Sequence, residues 1–260
     1  MNSGGWRIGT FAGAPVIMDW SVLILAAYVI LSSLDDGGSL ISALTFVAAI
    51  LASILLHEFG HAWTAMAFKL PSKRIVLTFL GGHVEFERPP ETRWHNIAVS
   101  AAGPFANLAA FAALYYGLNA LGGLAPPETP RLMAQPLPFL PPLAIPADWF
   151  EARILSSFLG AFLAINLVLG AFNLLPGFPL DGGRILAAGL AYFMHPARAR
   201  MVAGASGILI AAGAAYYGLT NGYLWTAMVA ALLLLAALAE IALARQALAA
   251  DHSSGGRSNT

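Results

Sequence analysis

Residues 40–68 read LISALTFVAAILASILLHEFGHAWTAMAF. A helix of that length rises about 43 Å, more than the ~30 Å hydrocarbon core of a bilayer. Residues 40–56 carry no charge, so the stretch reads as a membrane span. Its second half nevertheless holds three ionisable groups, His57, Glu58 and His61. Counted back from Lys69 at 1.5 Å per residue, His61 lies roughly 12 Å and His57 roughly 18 Å along the helix. A carboxylate at that depth costs several kcal/mol and marks a functional site.

The rest of the chain belongs to the same class. Of 260 residues, 58% are hydrophobic and 10% charged, and the mean hydropathy is +0.73. Soluble domains carry about 25% charged residues, so this chain cannot cover itself with a solvated surface. An ordinary soluble enzyme and a disordered protein are excluded. So is a nucleic-acid binder of the basic-patch type, because 13 Lys+Arg balance 13 Asp+Glu. There is no cysteine, so any metal must be held by His, Asp or Glu.

Further apolar runs occur at about Trp20–Leu34, Asn96–Leu121, Ile154–Leu175, Met201–Leu219 and Tyr223–Ala244. A shorter piece, Ile185–Met194, continues the fourth run after a break. We therefore expect an α-helical polytopic membrane protein of about six transmembrane helices with short interfacial β-hairpins. Its single membrane-embedded domain covers residues 1–248, with core spans at about 40–68, 96–121 and 154–194, and a disordered polar tail follows over 249–260. Six spans put both termini on one side. Arg7, Lys69, Lys73, Arg74, Arg88, Arg93, Arg184, Arg198, Arg200, Arg245 and Arg257 then share that side, and only Arg131 and Arg153 face the other. The positive-inside rule makes the shared side cytoplasmic, in the cell membrane. The N-terminus has no compact apolar core with a small-residue cleavage site, so no cleavable signal peptide is expected.

Three segments depart from helix. Trp6–Met18 alternates and breaks at Ala12-Gly13, which predicts an interfacial hairpin. Arg74–Arg88 places two β-rich runs around Gly81-Gly82, a second hairpin signal. Leu121–Trp149 holds Pro126, Pro127, Pro130, Pro136, Pro138, Pro141, Pro142 and Pro146 and predicts an extended, semi-rigid outer loop.

In His57-Glu58-Phe59-Gly60-His61 the two histidines stand one helical turn apart on one face, about 6 Å from each other. Glu58 lies about 100° around the helix from His57. This is the H-E-x-x-H pattern, in which two imidazoles hold zinc and the glutamate acts as general base. A catalytic zinc usually takes a third protein ligand and keeps one position open. The best candidate lies in Asn173-Leu-Leu-Pro-Gly-Phe-Pro-Leu-Asp181-Gly-Gly-Arg184. Pro176 and Pro179 interrupt the helix there, and irregular backbone at membrane depth belongs where it lines a cavity or is buried in protein. Asp181 has two readings, an N-cap for residues 182–194 or the third ligand. Its pairing with the two histidines favours the ligand. One Zn2+ per chain would also balance the charges of Asp181 and Glu58, which alone would form an uncompensated acidic pair.

HEFGH in one span and NLLPGFPLDGG about 115 residues later together resemble the site-2 protease family of intramembrane zinc metalloproteases. The resemblance covers about residues 6–190 and extends to Gly103-Pro104-Phe105-Ala106-Asn107. It implies that His57, His61 and Asp181 are zinc ligands, that Glu58 is the catalytic base, and that Asn173 and Asn107 bind substrate or stabilise the intermediate. Both asparagines also read as interhelical hydrogen-bonding residues. The implied activity is a zinc metalloendopeptidase hydrolysing a peptide bond in or near the transmembrane segment of a membrane protein, in regulated intramembrane proteolysis. The implied partners are the lipid bilayer and a single-pass membrane substrate, such as an anti-sigma factor or a membrane-tethered regulator, and no nucleic acid. The 29-residue segment Leu121–Trp149 is too short for the PDZ domain some members carry, and the tail too short for a CBS domain, so regulation by such a domain in cis is not expected. Either hairpin could clamp an extended substrate by strand addition or serve only as a connector.

The rival reading is a membrane metal or ion transporter using the same His/Asp/Glu cluster, since a Pro-broken helix with intramembrane charges is also a transporter feature. The chain shows no matching second broken helix. The other histidines read as interfacial: His83 after the Gly-Gly turn, His95 after Trp94, and His195 at a helix end where a cation is favoured.

Overall fold

The computed structural model describes residues 4–79, 81–124, 131–134, 143–146 and 153–255. The chain divides into two compact units, Met1–Arg88 with Ala102–Ala171, and Pro89–Ala101 with Phe172–Thr260.

The first unit opens with two hairpins and two helices. Strands β1 (Gly5–Phe11) and β2 (Ala14–Asp19) pair antiparallel. Their two-residue turn puts Ala12 and Gly13 at φ 51° and 81°, the left-handed geometry that tight hairpins need. Helix α1 (Val22–Asp35) follows, then α2 (Leu40–Ala67). Helix α2 starts at a reciprocal cap, in which Ser39 and Ser42 each accept a bond from the other's backbone N–H at 3.1 Å. The second hairpin, β3 (Ser72–Thr78) and β4 (Gly81–Phe86), pairs antiparallel, but Gly81 and Gly82 are not its turn: they open β4, opposite Thr78 and Leu77.

The two hairpins form one four-stranded sheet, order β1-β2-β3-β4, because β2 pairs parallel to β3 from Val16↔Ile75 to Met18↔Leu77. Burial explains the junction. Ala14, Val16 and Ile75 pack against Ala62 of α2, flanked by Phe11 and Phe59, whose rings stack at 3.8 Å. Val22, Ile54 and Leu77 make an adjoining cluster. Each fully buried aliphatic side chain is worth about 1.5–3 kcal/mol, and α2 is the surface on which all of them converge.

Helix α3 (Arg93–Leu124) contains Pro104, and α4 runs Arg153–Asn173. In the first unit they meet through Tyr115 and Leu163. Within the segment expected to be extended, Arg131–Ala134 (β5) and Leu143–Pro146 (β6) pair as a two-stranded antiparallel sheet. The rest of the proline-rich expectation, at 125–130, 135–142 and 147–149, lies outside the described residues.

The second unit contains α5 (Asp181–Leu190), α6 (Pro196–Thr220) and α7 (Leu224–Gly255). Pro196 stands at the first position of α6, where its missing N–H costs nothing. Arg200 of α6 pairs with Glu240 of α7 at 2.6 Å. Helix α7 continues through Ala249, where the sequence reading began a disordered tail, to Gly255. The run Ala247–Ala250 is composed of strong helix formers, and polarity alone misplaced the end. Residues 256–260 lie outside the described residues.

Among the described residues, four helices are long and apolar enough to cross a membrane: Leu40–Ala67, Arg93–Ala120, Pro196–Thr220 and Leu224–Ala250. The last has a mean hydropathy of 2.5 with only 17% of its window buried, so its apolar surface suits lipid rather than water. The expected count of six spans is not reached on length. Helix α1 has 14 residues and rises about 21 Å, and the described apolar part of α4 is Ser157–Asn173.

Candidate metal centre

Helix α2 delivers His57, Glu58 and His61 as its periodicity dictates. The two imidazoles meet edge to face with centroids 4.8 Å apart. All three side chains are buried, at 5%, 3% and 7% exposure. Such burial is tolerable for ionisable groups only when they are paired or coordinate a metal.

Helix α3 fixes what the imidazoles can do. A Cβ placed on Gly103 would stand 2.4 Å from His61 Nε2 and 2.7 Å from His57 Nε2. Both Nε2 atoms therefore point at one spot beside a residue that has no side chain. One turn on, Asn107 Oδ1 lies 2.6 Å from His57 Nδ1. Asn107 Nδ2 donates to Ser53 O at 3.0 Å and to Asn166 Oδ1 at 2.6 Å. With its amino group so used, Asn107 turns its carbonyl oxygen to His57, and Nδ1 is the donor. That tautomer leaves Nε2 with its lone pair, the form a metal needs.

Asp181 opens α5. The N-cap of that helix is Leu180, not Asp181, so the capping alternative does not describe it. Its carboxylate is buried at 7% exposure. Among the described residues, His57, His61 and Asp181 make up the group of side chains that could hold a metal ion. Two imidazole nitrogens and one carboxylate oxygen form the donor set of a catalytic zinc, three protein ligands with room for a fourth. The cluster fits Zn2+.

In the second unit, the loop before Asp181 is tied to α6. Phe178 N donates to Ala203 O at 3.0 Å. A Cβ on Gly207 would fall 1.9 Å from Phe178 O, so only glycine lets the helix backbone approach the loop this closely. Asn173 is the last residue of α4, half-buried at the point where the helix opens.

The second hairpin reaches Glu58. A Cβ on Gly82 of β4 would stand 2.7 Å from Glu58 Oε1. Elsewhere in this hairpin Arg74 and Glu85, opposite each other in register, bond at 2.5 Å. That contact holds the Glu85 carboxyl below its ordinary range and raises Arg74. Asp19 is likewise lowered, by hydrogen bonds from Ser21. Of the remaining histidines, His83 is half-exposed and 3.6 Å from Glu85 Oε1. His195 does not stand at a helix C-terminus. It caps the N-terminus of α6, where its Nδ1 accepts from Ala197 N at 3.2 Å.

Sequence reasoning missed Ser53 and Asn166, both fully buried. Their only signal was polarity inside apolar runs, which helix-packing residues share.

Helical membrane architecture and a buried two-histidine, one-carboxylate centre with an adjacent glutamate define the class, a metalloprotease fold of the membrane-embedded kind. The model of Peptidase family M50 matches residues 45–215, and the chain belongs to that family, the family of the site-2 proteases. A relative from Synechocystis sp., sll0528, named a zinc metalloprotease, is 30% identical over 189 residues, covering 69% of this chain and 42% of its own length. Zinc metalloprotease MJ0392 of Methanocaldococcus jannaschii is 25% identical over 183 residues, covering 70% of this chain and 44% of its own. The chain thus spans less than half the length of these relatives. Among solved structures, the site-2 protease from Methanocaldococcus jannaschii shares the fold with a TM-score of 0.63 at 21% identity, covering 91% of this chain and 95% of that one.

Proposed function

We propose that the protein is a zinc metalloendopeptidase that hydrolyses a peptide bond in or near the transmembrane segment of a membrane-protein substrate, in regulated intramembrane proteolysis. The observation that carries this reading is the pair of buried imidazoles, His57 and His61, addressing one spot beside Gly103 with the buried Glu58 next to His57. His57 and His61 would hold the metal through Nε2 and Asp181 through a carboxylate oxygen. Bound zinc supplies Lewis-acid polarisation of the scissile carbonyl and makes water acidic enough to react near neutral pH. Glu58 takes the proton from the attacking water and delivers it to the leaving amine. Asn173 donates to the carbonyl oxygen as it gains charge. Asn107 holds His57 instead of donating to substrate, since both N–H groups of its carboxamide are already engaged.

A helical substrate hides its carbonyls in hydrogen bonds, so it must be extended to react. Strand β4 has no partner on its outer side among the described residues, and its Gly82 lies against Glu58. A substrate strand added there would present its backbone to the base. The protein is an integral protein of the cytoplasmic membrane, with α1 and α4 completing six spans, both termini cytoplasmic, and single-pass membrane proteins such as anti-sigma factors or membrane-tethered regulators as substrates. The bias of basic residues toward one side supports that orientation.

The test is Glu58→Gln in the purified protein reconstituted with a membrane substrate. Cleavage should fall by at least about 10²-fold, the scale of lost acid–base catalysis, with zinc content unchanged. Wild-type cleavage by this variant would overturn the mechanism. Zinc flux through reconstituted vesicles without proteolysis would favour transport.

A further inference from the structure

Asn166 lies in neither motif, yet its side chain is fully buried and ends a series of hydrogen bonds that leads to His57. From α4, its Nδ2 donates to Ser53 Oγ and to Phe162 O, both at 2.8 Å. Ser53 Oγ in turn donates its own hydrogen bond to Ala49 O at 2.8 Å. Both N–H groups of Asn166 are used, so its Oδ1 is an acceptor, and it takes Asn107 Nδ2 at 2.6 Å. Asn107 then faces His57 Nδ1 with its oxygen. A flipped Asn107 would set its oxygen against Asn166 Oδ1 and Ser53 O, two acceptor–acceptor contacts in a buried place where neither is relieved by water.

We propose that Asn166, supported by Ser53, is a positioning residue: it locks the carboxamide of Asn107 in the orientation that keeps the proton on His57 Nδ1 and Nε2 bare for the metal. The proposal rests on the reading of His57 as a zinc ligand. It goes beyond simple interhelical hydrogen bonding, which would tie α2, α3 and α4 together without setting the ring proton of His57. Outer partners of metal-binding histidines typically contribute 10–100-fold in metal affinity.

The experiment compares wild type, Asn166→Leu and Asn166→Asp in detergent. Two quantities are read: zinc affinity by competition with a chromophoric chelator, and 15N shifts of the His57 ring in metal-free, 15N-histidine-labelled protein. Wild type should show a protonated Nδ1 and a bare Nε2. Asn166→Leu, close in volume but without an acceptor, should give mixed tautomers and bind zinc about tenfold more weakly or worse. Asn166→Asp keeps an oxygen for Asn107 Nδ2 and should retain the wild-type tautomer, with zinc affinity within about threefold of wild type. Where the leucine variant does not fold, Asn166→Ala removes the same acceptor and carries the same expectation. Wild-type tautomer and affinity in a folded Asn166→Leu or Asn166→Ala, or an Asn166→Asp as impaired as the leucine variant, would overturn the proposal. Wild type that takes up no zinc would instead overturn the metal reading, and the ring shifts would still test the lock.

Discussion

Substitution of Gly103 by alanine isolates the metal centre from the fold. The added methyl group would begin 2.4 Å from His61 Nε2 and 2.7 Å from His57 Nε2, where side-chain carbons essentially never come closer than 3.0 Å. At least one ring must retreat by about 0.6 Å or more. Metal–ligand distances tolerate about 0.2 Å, so the displacement exceeds what the site can absorb. A misplacement of about 1 Å costs on the order of 10²-fold where geometry decides, and zinc affinity should fall by about that factor. Backbone propensity works the other way. Alanine is favoured over glycine by about 1 kcal/mol inside a helix, which offsets part of the ~1–3 kcal/mol cost of overpacking. The metal-free variant should therefore melt near wild type while its zinc affinity falls. Chelator competition and thermal unfolding on the same sample read both. Gly103→Ala that binds zinc within threefold of wild type would refute the reading that both Nε2 atoms address one ion beside this glycine.

Other outcomes follow from the same geometry. Asp181→Asn should lower zinc content well below one per chain by atomic absorption, and full occupancy would remove Asp181 from the ligand set. Gly207→Ala drives a methyl group into Phe178 O. It should cost about 1–3 kcal/mol in stability and weaken zinc binding by disturbing the loop before Asp181, whereas wild-type melting would contradict that close approach. The Arg74–Glu85 contact makes the second hairpin acid-sensitive. The Glu85 carboxyl is held below its ordinary 4.5, so its contribution is complete above that value and is lost as pH falls through the lower folded one. Hydrogen-exchange protection of Ser72–Phe86, corrected for intrinsic rates, should drop over that acidic range in wild type and lack that component in Glu85→Gln.

Much of the site was legible in the chain because it depends on short-range geometry. The i, i+4 spacing of His57 and His61 puts both rings on one face in any helix, and the apolar length of residues 40–68 makes that helix a span. Ala12-Gly13 identifies a tight turn, and the first hairpin formed there; the second hairpin also formed, but with Gly81 and Gly82 inside β4 instead of at its turn. Hydropathy located the apolar helices: the run read at about Trp20–Leu34 forms α1 at Val22–Asp35, while α7 runs into the residues read as tail.

What the tertiary structure decided lies between residues far apart in sequence. The parallel pairing of β2 with β3 joins two hairpins that look independent along the chain, because only packing on α2 brings Val16 and Ile75 together. His57 meets Asn107 across fifty positions, and Ser53 meets Asn166 across 113. A buried asparagine in an apolar run announces that it needs partners, since unpaired polar groups there are costly. It does not say which partners, because that is settled by where helices cross. The sequence by itself determined that this is a helical membrane protein carrying a zinc-binding face. Packing determined which neighbours orient that face, because local periodicity acts over a few residues and side-chain convergence acts over the whole chain.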